Sequence, residues 1–307
     1  MTVAVEVPAM QVAIVGAGAV GSALGATLST VGPVTVVGHE NDHVSALQTG
    51  PLEVTMPDGT VRQVDLDVVT DHAAVSEAAL VVLAVKSYDT ERALDDVAGF
   101  LDGADLLTVQ NGLGNLELMA ETVDPARVIG ATTTLGVTLD APGRVTIESS
   151  GTTRLGRPWA ENGPTVAAVA DRFTAAGLQA SVVSDVRKAI WEKVLINVGI
   201  NPVTAIGRVE NGALVREPGR SLLEAAVREG ARVAAAEGFR IEDPVAKALA
   251  VAEATAGNLS SMLRDVETGS RTEIGALNGA IVEHGTARGL PVPVNRTLTA
   301  AVRLLED

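Results

Sequence analysis

Lys193, Asn197 and Asn201 recur at intervals of four within the apolar stretch from Trp191 to Ile206. On a helix this spacing lines up an ammonium and two amides along one face. The neighbours Val194, Leu195, Ile196, Val198 and Ile200 predict that most of the helix circumference is buried. Polar groups in such surroundings are costly unless something polar meets them, and a small oxygen-rich substrate would do so. A lysine ammonium held beside a carbonyl protonates the alkoxide that hydride addition leaves, more readily if burial lowers its pKa. Lys193 is therefore the candidate acid, ahead of Lys188 and Glu192, which lie off the face of Asn197 and Asn201. Plainer readings stand beside this one. Lys193 could pair with a core acid, and Asn201, which precedes Pro202, could mark a helix kink or stop.

A second polar cluster follows in Asn258-Leu259-Ser260-Ser261-Met262-Leu263-Arg264-Asp265 and Glu267-Thr268-Gly269-Ser270-Arg271-Thr272-Glu273-Ile274. Asn258 and Ser261, three apart, are predicted on one helical face and suit oxygen recognition. Glu273 heads the next helix, where it either joins the site or simply complements the helix dipole.

The other half of a hydride transfer is legible near the N-terminus. Gly16-Ala17-Gly18-Ala19-Val20-Gly21 directly follows a predicted strand, Gln11–Val15, and opens a predicted helix, 19–30. In this G-x-G-x-x-G pattern the first glycine makes the turn, the second admits a pyrophosphate and the third lets helix and strand pack closely. Glu40 lies about 20 residues further on, where an acid accepts from the adenosine ribose 2′-OH and repels a 2′-phosphate. No lysine or arginine occurs between Gly32 and Arg62. NAD(H) is accordingly favoured over NADP(H); the alternative is a solvated Glu40 in a loop with Asp42 as helix N-cap. Lys86 and the pair Asn111-Gly112 both end strands, where α/β sheets present ligands, although Lys86 could snorkel to solvent and Asn111-Gly112 could be a turn.

Composition narrows the classes. The 307 residues carry a formal net charge of −15, which opposes nucleic acid and anionic membranes as partners. Aromatic residues are only 2%, so base-stacking platforms are not expected, and no cysteine is present for disulfide, thiolate or zinc-thiolate chemistry. Of the four histidines, His39 and His43 are read as a loop start rather than a metal pair, and no metal is expected. The first residues lack the basic region of a secretory signal, and no apolar run reaches a membrane span, so a cytoplasmic location is expected.

The elements that must position these groups divide into two textures. Predicted strands 11–15, 34–37, 80–85, 106–109 and 128–130 alternate with predicted helices 19–30, 43–48, 90–100 and 116–120. Residues 52–69 read as a hairpin insertion around Asp58-Gly59, and 132–156 as further β-structure turning at Ala141-Pro142-Gly143. From Val186 long Ala-rich amphipathic runs predict helices over 221–237, 244–264, 273–288 and 295–305. The expectation is an α/β chain, with a Rossmann-type parallel-sheet domain over 1–185 and an all-helical domain over 186–307.

The motifs GAGAVG, LAVKSYDT, VQNGLGN, KVLINVGINPVTAI, ENG and NLSSMLRDVETGSRTEIGALNG occur in that order. Over essentially its whole length the chain resembles the ketopantoate reductase (2-dehydropantoate 2-reductase) family. The resemblance implies reduction of a 2-oxo acid to the (R)-2-hydroxy acid in a cleft between the two domains, in pantothenate biosynthesis. It implies Lys193 as catalytic acid, Glu273 as its assistant, and Asn111, Asn197, Asn201, Asn258 and Ser261 as substrate-orienting residues. Gly16, Ala17, Gly18, Ala19, Val20, Gly21, Glu40, Lys86 and Asn111 would meet the cofactor; Asn211 is a further motif residue without an assigned role. Glu40 departs from the arginine that many members place there, which opens an alternative, an NAD-dependent D-2-hydroxyacid dehydrogenase of mandelate type. The expected partner is a small 2-oxo acid, and a homodimer is compatible with this reading. A non-catalytic dinucleotide sensor would not need Lys193, Asn197, Asn201 and Glu273 together. A 3-hydroxyacid dehydrogenase would not carry the NLSSML and RTEI segments.

Overall fold

A computed structural model describes residues 10–306. The first part alternates β1 (Val12–Val15), α1 (Ala19–Leu28), β2 (Val34–Val37), α2 (Asp42–Thr49), β3 (Leu52–Thr55), β4 (Val61–Val64), β5 (Asp67–Val69), β6 (Leu80–Leu83), α3 (Thr90–Val97), β7 (Asp105–Thr108), α4 (Asn115–Thr122) and β8 (Val128–Thr133). It continues with β9 (Gly136–Ala141), β10 (Arg144–Ser149), β11 (Thr152–Gly156), α5 (Pro164–Ala175) and β12 (Gln179–Val182). Eight strands form one sheet in the order β12-β11-β8-β7-β6-β1-β2-β5. Its centre is parallel, with β1 between β2 and β6, while β11 runs antiparallel to β8. β1, β2 and β6 are buried at every position, as Val- and Leu-rich strands covered on both faces must be.

Two sequence expectations change here. Residues 52–69 are not one hairpin: β3 and β4 pair around the Asp58-Gly59 turn, but β5 leaves them and joins the edge of the large sheet beside β2. β3 instead pairs in parallel with β10, making a separate four-stranded sheet of order β4-β3-β10-β9. The buried His43 ring ties this sheet to the larger unit. Its Nδ1 accepts from the Gly143 amide at 2.9 Å and its Nε2 meets Ser22 Oγ at 2.9 Å. Burial lowers the His43 pKa, favouring the neutral ring that those two contacts use. β12, absent from the sequence reading, extends the sheet as a parallel neighbour of β11.

The second part is helical: α6 (Val186–Gly207), α7 (Gly219–Ala236), α8 (Pro244–Ala254), α9 (Ser261–Glu267), α10 (Ala280–Ala287) and α11 (Pro293–Arg303). The helix expected over 244–264 is two helices, parted by a non-helical stretch over 255–260. Its core is aliphatic around Val194, Leu195, Val198, Met262, Leu277 and Ile281. By packing, residues up to Gln110 together with Asn115–Val186 form one compact unit, and Arg187 onward forms the other. The four residues Asn111–Gly114 belong to the helical unit, although their neighbours in sequence belong to the sheet.

Candidate functional site

α6 runs unbroken through Pro202 to Gly207, so Asn201-Pro202 is not a helix stop. A proline in a helix removes the donor for the carbonyl four residues earlier, here Val198. Asn278 supplies the replacement: its Nδ2 donates to the Val198 oxygen at 3.0 Å and to Asn295 Oδ1 at 2.9 Å. Asn295 is held in turn by Glu229, whose carboxylate accepts from the Val294 and Asn295 amides at the start of α11. The uninterrupted helix keeps Lys193, Asn197 and Asn201 on one face. The side-chain amides of Asn197 and Asn201 make no hydrogen bond to another described residue, which leaves their donors and acceptors for a ligand.

Lys193 Nζ donates to Asn111 Oδ1 at 2.6 Å, and Asn111 Nδ2 donates to Glu273 Oε2 at 2.9 Å. An amide thus stands between ammonium and carboxylate. Removal from water drives the Lys193 pKa down to about 8, against the weaker upward pull of the Glu273 carboxylate. A lysine tuned this way can give up a proton near neutral pH, as a general acid must.

Asn111 reaches this position because of the glycine after it. Gly112 adopts φ +89°, and a Cβ there would lie 2.6 Å from Ala276 Cβ and 2.7 Å from its carbonyl oxygen. The Leu113 amide donates to that same Ala276 oxygen at 2.9 Å, clamping the loop to the helical unit. Ala276 lies in a π-helical turn, Gly275–Gly279, that begins two residues after Glu273. Such turns are rare and costly, and they gather at functional sites. Glu273 is 7% exposed, and Thr272 before it is fixed by Glu306, which accepts from the Thr272 amide at 2.8 Å and from its hydroxyl at 2.6 Å.

The second polar cluster differs from the expectation. Asn258 sits in the non-helical stretch and Ser261 is the first residue of α9, so the two do not share a helical face. Both are exposed. Ser260, a member of the polar patch in the sequence, is buried; it caps α9 by accepting from the Leu263 amide at 3.1 Å and receives the Thr204 hydroxyl at 2.7 Å. Asn211 and Gly212 pin the segment from the other side, their amides donating to the Asn258 and Ala256 carbonyls at 3.0 and 2.9 Å. Asn211 is therefore a strut for Asn258.

In the sheet unit, Gly16 takes φ +111°, with Val85 and Ala84 so close that a Cβ would approach to 2.7 Å. Gly18 is the N-cap of α1 and provides no side chain, while open space surrounds its Cα. The amides of Ala19, Val20 and Gly21 have no intrahelical acceptor and no capping side chain, so this loop fits a pyrophosphate. Glu40 is exposed just beyond β2. The cap of α2 is Asn41, whose side chain accepts from Val44 at 2.9 Å, and not Asp42. Lys86 lies three residues past β6, partly buried, at the start of the short turn Ser87–Asp89. Gln110 braces that loop by donating to the Val85 carbonyl at 2.8 Å and to Thr90 Oγ1 at 2.7 Å. No periodicity marks Gln110 or Thr90; only their place at strand and helix ends could have flagged them.

Residues 12–159 match the family described as ketopantoate reductase PanE/ApbA, and residues 185–306 match its C-terminal domain. The chain belongs to the ketopantoate reductase family. It is 44% identical over 300 residues to the 2-dehydropantoate 2-reductase of Halobacterium salinarum, covering 97% of this chain and 99% of that one. Among solved structures, the PanE/ApbA family ketopantoate reductase from Ralstonia eutropha JMP134 matches with a TM-score of 0.88 at 35% identity, over 97% of this chain and 99% of that one. D-mandelate dehydrogenase with NADH and anilino(oxo)acetate matches with the same TM-score of 0.88 at 27% identity and the same two coverages, 97% and 99%. As a member of the ketopantoate reductase family, the chain is a nicotinamide-dependent oxidoreductase of the CH–OH group. No helix among its described residues is long and apolar enough to cross a membrane.

Proposed function

We propose that this chain reduces 2-dehydropantoate to (R)-pantoate, with Lys193 as proton donor and NADH as the preferred reductant. The observation that carries the reading is the Lys193–Asn111–Glu273 chain on the helical unit, with a partly buried ammonium poised at about 8. A nicotinamide held there would supply the hydride for C2 of the 2-oxo acid. Lys193 gives its proton to the carbonyl oxygen as charge gathers there, and the neutral amine then recovers a proton from solvent. A positioned acid of this kind contributes roughly 10²- to 10⁴-fold. Asn111 holds the ammonium by its carbonyl and so aims the remaining N–H bonds. Glu273 accepts from a substrate hydroxyl, while Asn197, Asn201, Asn258 and Ser261 orient the acid.

Gly16 through Gly21 hold the pyrophosphate at the start of α1. Glu40 accepts from the ribose 2′-OH and disfavours a 2′-phosphate, with Lys86 and Asn111 toward the nicotinamide end. The division into a dinucleotide-binding domain over 1–185 and a catalytic domain over 186–307 is part of this proposal, as is a cytoplasmic location.

A second reading keeps the fold and the chemistry but changes the substrate to a mandelate-type 2-hydroxy acid. Glu40 and the likeness to D-mandelate dehydrogenase with NADH favour it. Purified protein assayed with 2-dehydropantoate and benzoylformate, each with NADH and NADPH, separates the two. The proposal expects 2-dehydropantoate with NADH to give the highest kcat/KM. No turnover of 2-dehydropantoate refutes it, and higher turnover of benzoylformate selects the second reading.

A further inference from the structure

We propose that His39, His72 and Asp96 form a binding site for a divalent transition-metal cation of the zinc or cobalt class. The sequence suggested no metal, because His39 and His43 read as a loop start and the other histidines lie far apart in the chain; in the fold His43 is buried and bonded to Ser22 and Gly143. The fold puts His72 in its place. His39 lies just after β2, His72 opens the short helical turn His72–Glu77 after β5, and Asp96 is near the end of α3.

Three ligand atoms, one from each residue, lie within 4.8 Å of one another. His39 Nε2 is 3.8 Å and His72 Nε2 3.9 Å from the same oxygen, Asp96 Oδ2. Those distances are too long for hydrogen bonds. They fit an ion between the groups: with metal–ligand bonds of about 2.1 Å, tetrahedral geometry separates two ligands by about 3.4 Å. Small side-chain rotations close the difference.

The two rings stand edge to face, 72° apart with centroids 5.4 Å from each other. Side-chain exposures of 47%, 25% and 31% for His39, His72 and Asp96 leave an entry path from solvent and room for a water as a fourth ligand. Two imidazoles with one carboxylate select zinc, cobalt or nickel over magnesium and calcium, which want oxygen ligands. A net charge of −15 also draws cations toward the surface. A bound ion would tie the segment carrying Glu40 to α3 and to the 72–77 turn.

The test uses the full chain, stripped with a chelator. Cobalt(II) titration followed by visible absorbance, and zinc chloride titration by calorimetry, should each give one equivalent bound with micromolar affinity. The zinc-loaded protein should melt several degrees higher, because an ion held only by the folded state stabilises it. His72→Ala and Asp96→Asn should each weaken binding at least about tenfold, His284→Asn should not, and tenfold excess magnesium should not displace the ion. Absence of saturable one-to-one binding overturns the proposal. So does unchanged affinity in both His72→Ala and Asp96→Asn, while displacement by magnesium overturns the assigned metal class.

Discussion

Asn111→Ala removes a side chain bonded to both Lys193 and Glu273, at 2.6 and 2.9 Å. Each bond involves a charged partner, a class worth about 1.5–3 kcal/mol. Glu273 is 7% exposed, and Lys193 is already pushed down to about 8 by burial, so solvent replaces the lost amide poorly. If one such bond is lost from the transition state, the cost of about 1.5–3 kcal/mol lowers kcat/KM by about 10- to 150-fold. The assay is steady-state oxidation of NADH over a range of 2-oxo acid concentrations, giving kcat/KM for Asn111→Ala, Lys193→Ala and the double variant. If Asn111 acts by aiming Lys193, removing it in the Lys193→Ala background should cost less than about threefold. A loss below threefold in the single variant, or full additivity in the double variant, refutes the reasoning.

Gly112→Ala should be damaging at a distance. The φ of +89° is strained for alanine and its Cβ would strike Ala276 at 2.6 Å, so a stability loss of about 2 kcal/mol or more is expected, with a fall in kcat as Asn111 shifts. Unchanged melting temperature and kcat would show that the loop is not clamped. Glu40→Arg should raise the NADPH-to-NADH ratio of kcat/KM about tenfold or more, as repulsion of a 2′-phosphate becomes attraction. An unchanged ratio would place Glu40 away from the ribose. Asn278→Ala should lower the unfolding free energy by about 1–3 kcal/mol, because the Val198 carbonyl then loses its donor. A urea midpoint equal to that of the parent chain would contradict this.

The elements with strong periodicity were legible in the sequence. β1, β2 and β6 are short, mostly aliphatic runs (VAIV, VTVV and LVVL) buried at every position, and α6 shows its polar face through a spacing of four. Pairings between distant segments were not. Nothing local in Leu52–Thr55 says that it will lie beside Arg144–Ser149, since a half-buried strand reads the same whichever partner it finds. The break between α8 and α9 was hidden because Ala-rich sequence before it and apolar spacing after it both favour helix. The serine that caps the second helix, Ser260, was read as part of the polar patch. Pro202 left a kink or stop open as the plainer alternative; the helix continues through it, and a buried asparagine 76 positions further along the chain supplies the donor that the Val198 carbonyl lacks. Of the candidate site, residue types and spacing suggested Lys193, Asn197 and Asn201. The placement of Asn111 between Lys193 and Glu273 depends on Gly112 meeting Ala276, a contact across most of the chain.

The proposed reduction depends on a Lys193 ammonium that donates its proton. The most direct measurement is the pH dependence of kcat/KM for 2-oxo acid reduction, in the parent chain and in Lys193→Met. If Lys193 is the acid, only its protonated form is active in this direction, so the parent rate should fall with rising pH, losing one proton near the Lys193 value of about 8. Lys193→Met should be slower by at least about 10²-fold and flat through that range. A parent profile with no loss of rate between about pH 7 and pH 9.5, or a Lys193→Met profile that keeps the same alkaline limb, would contradict it.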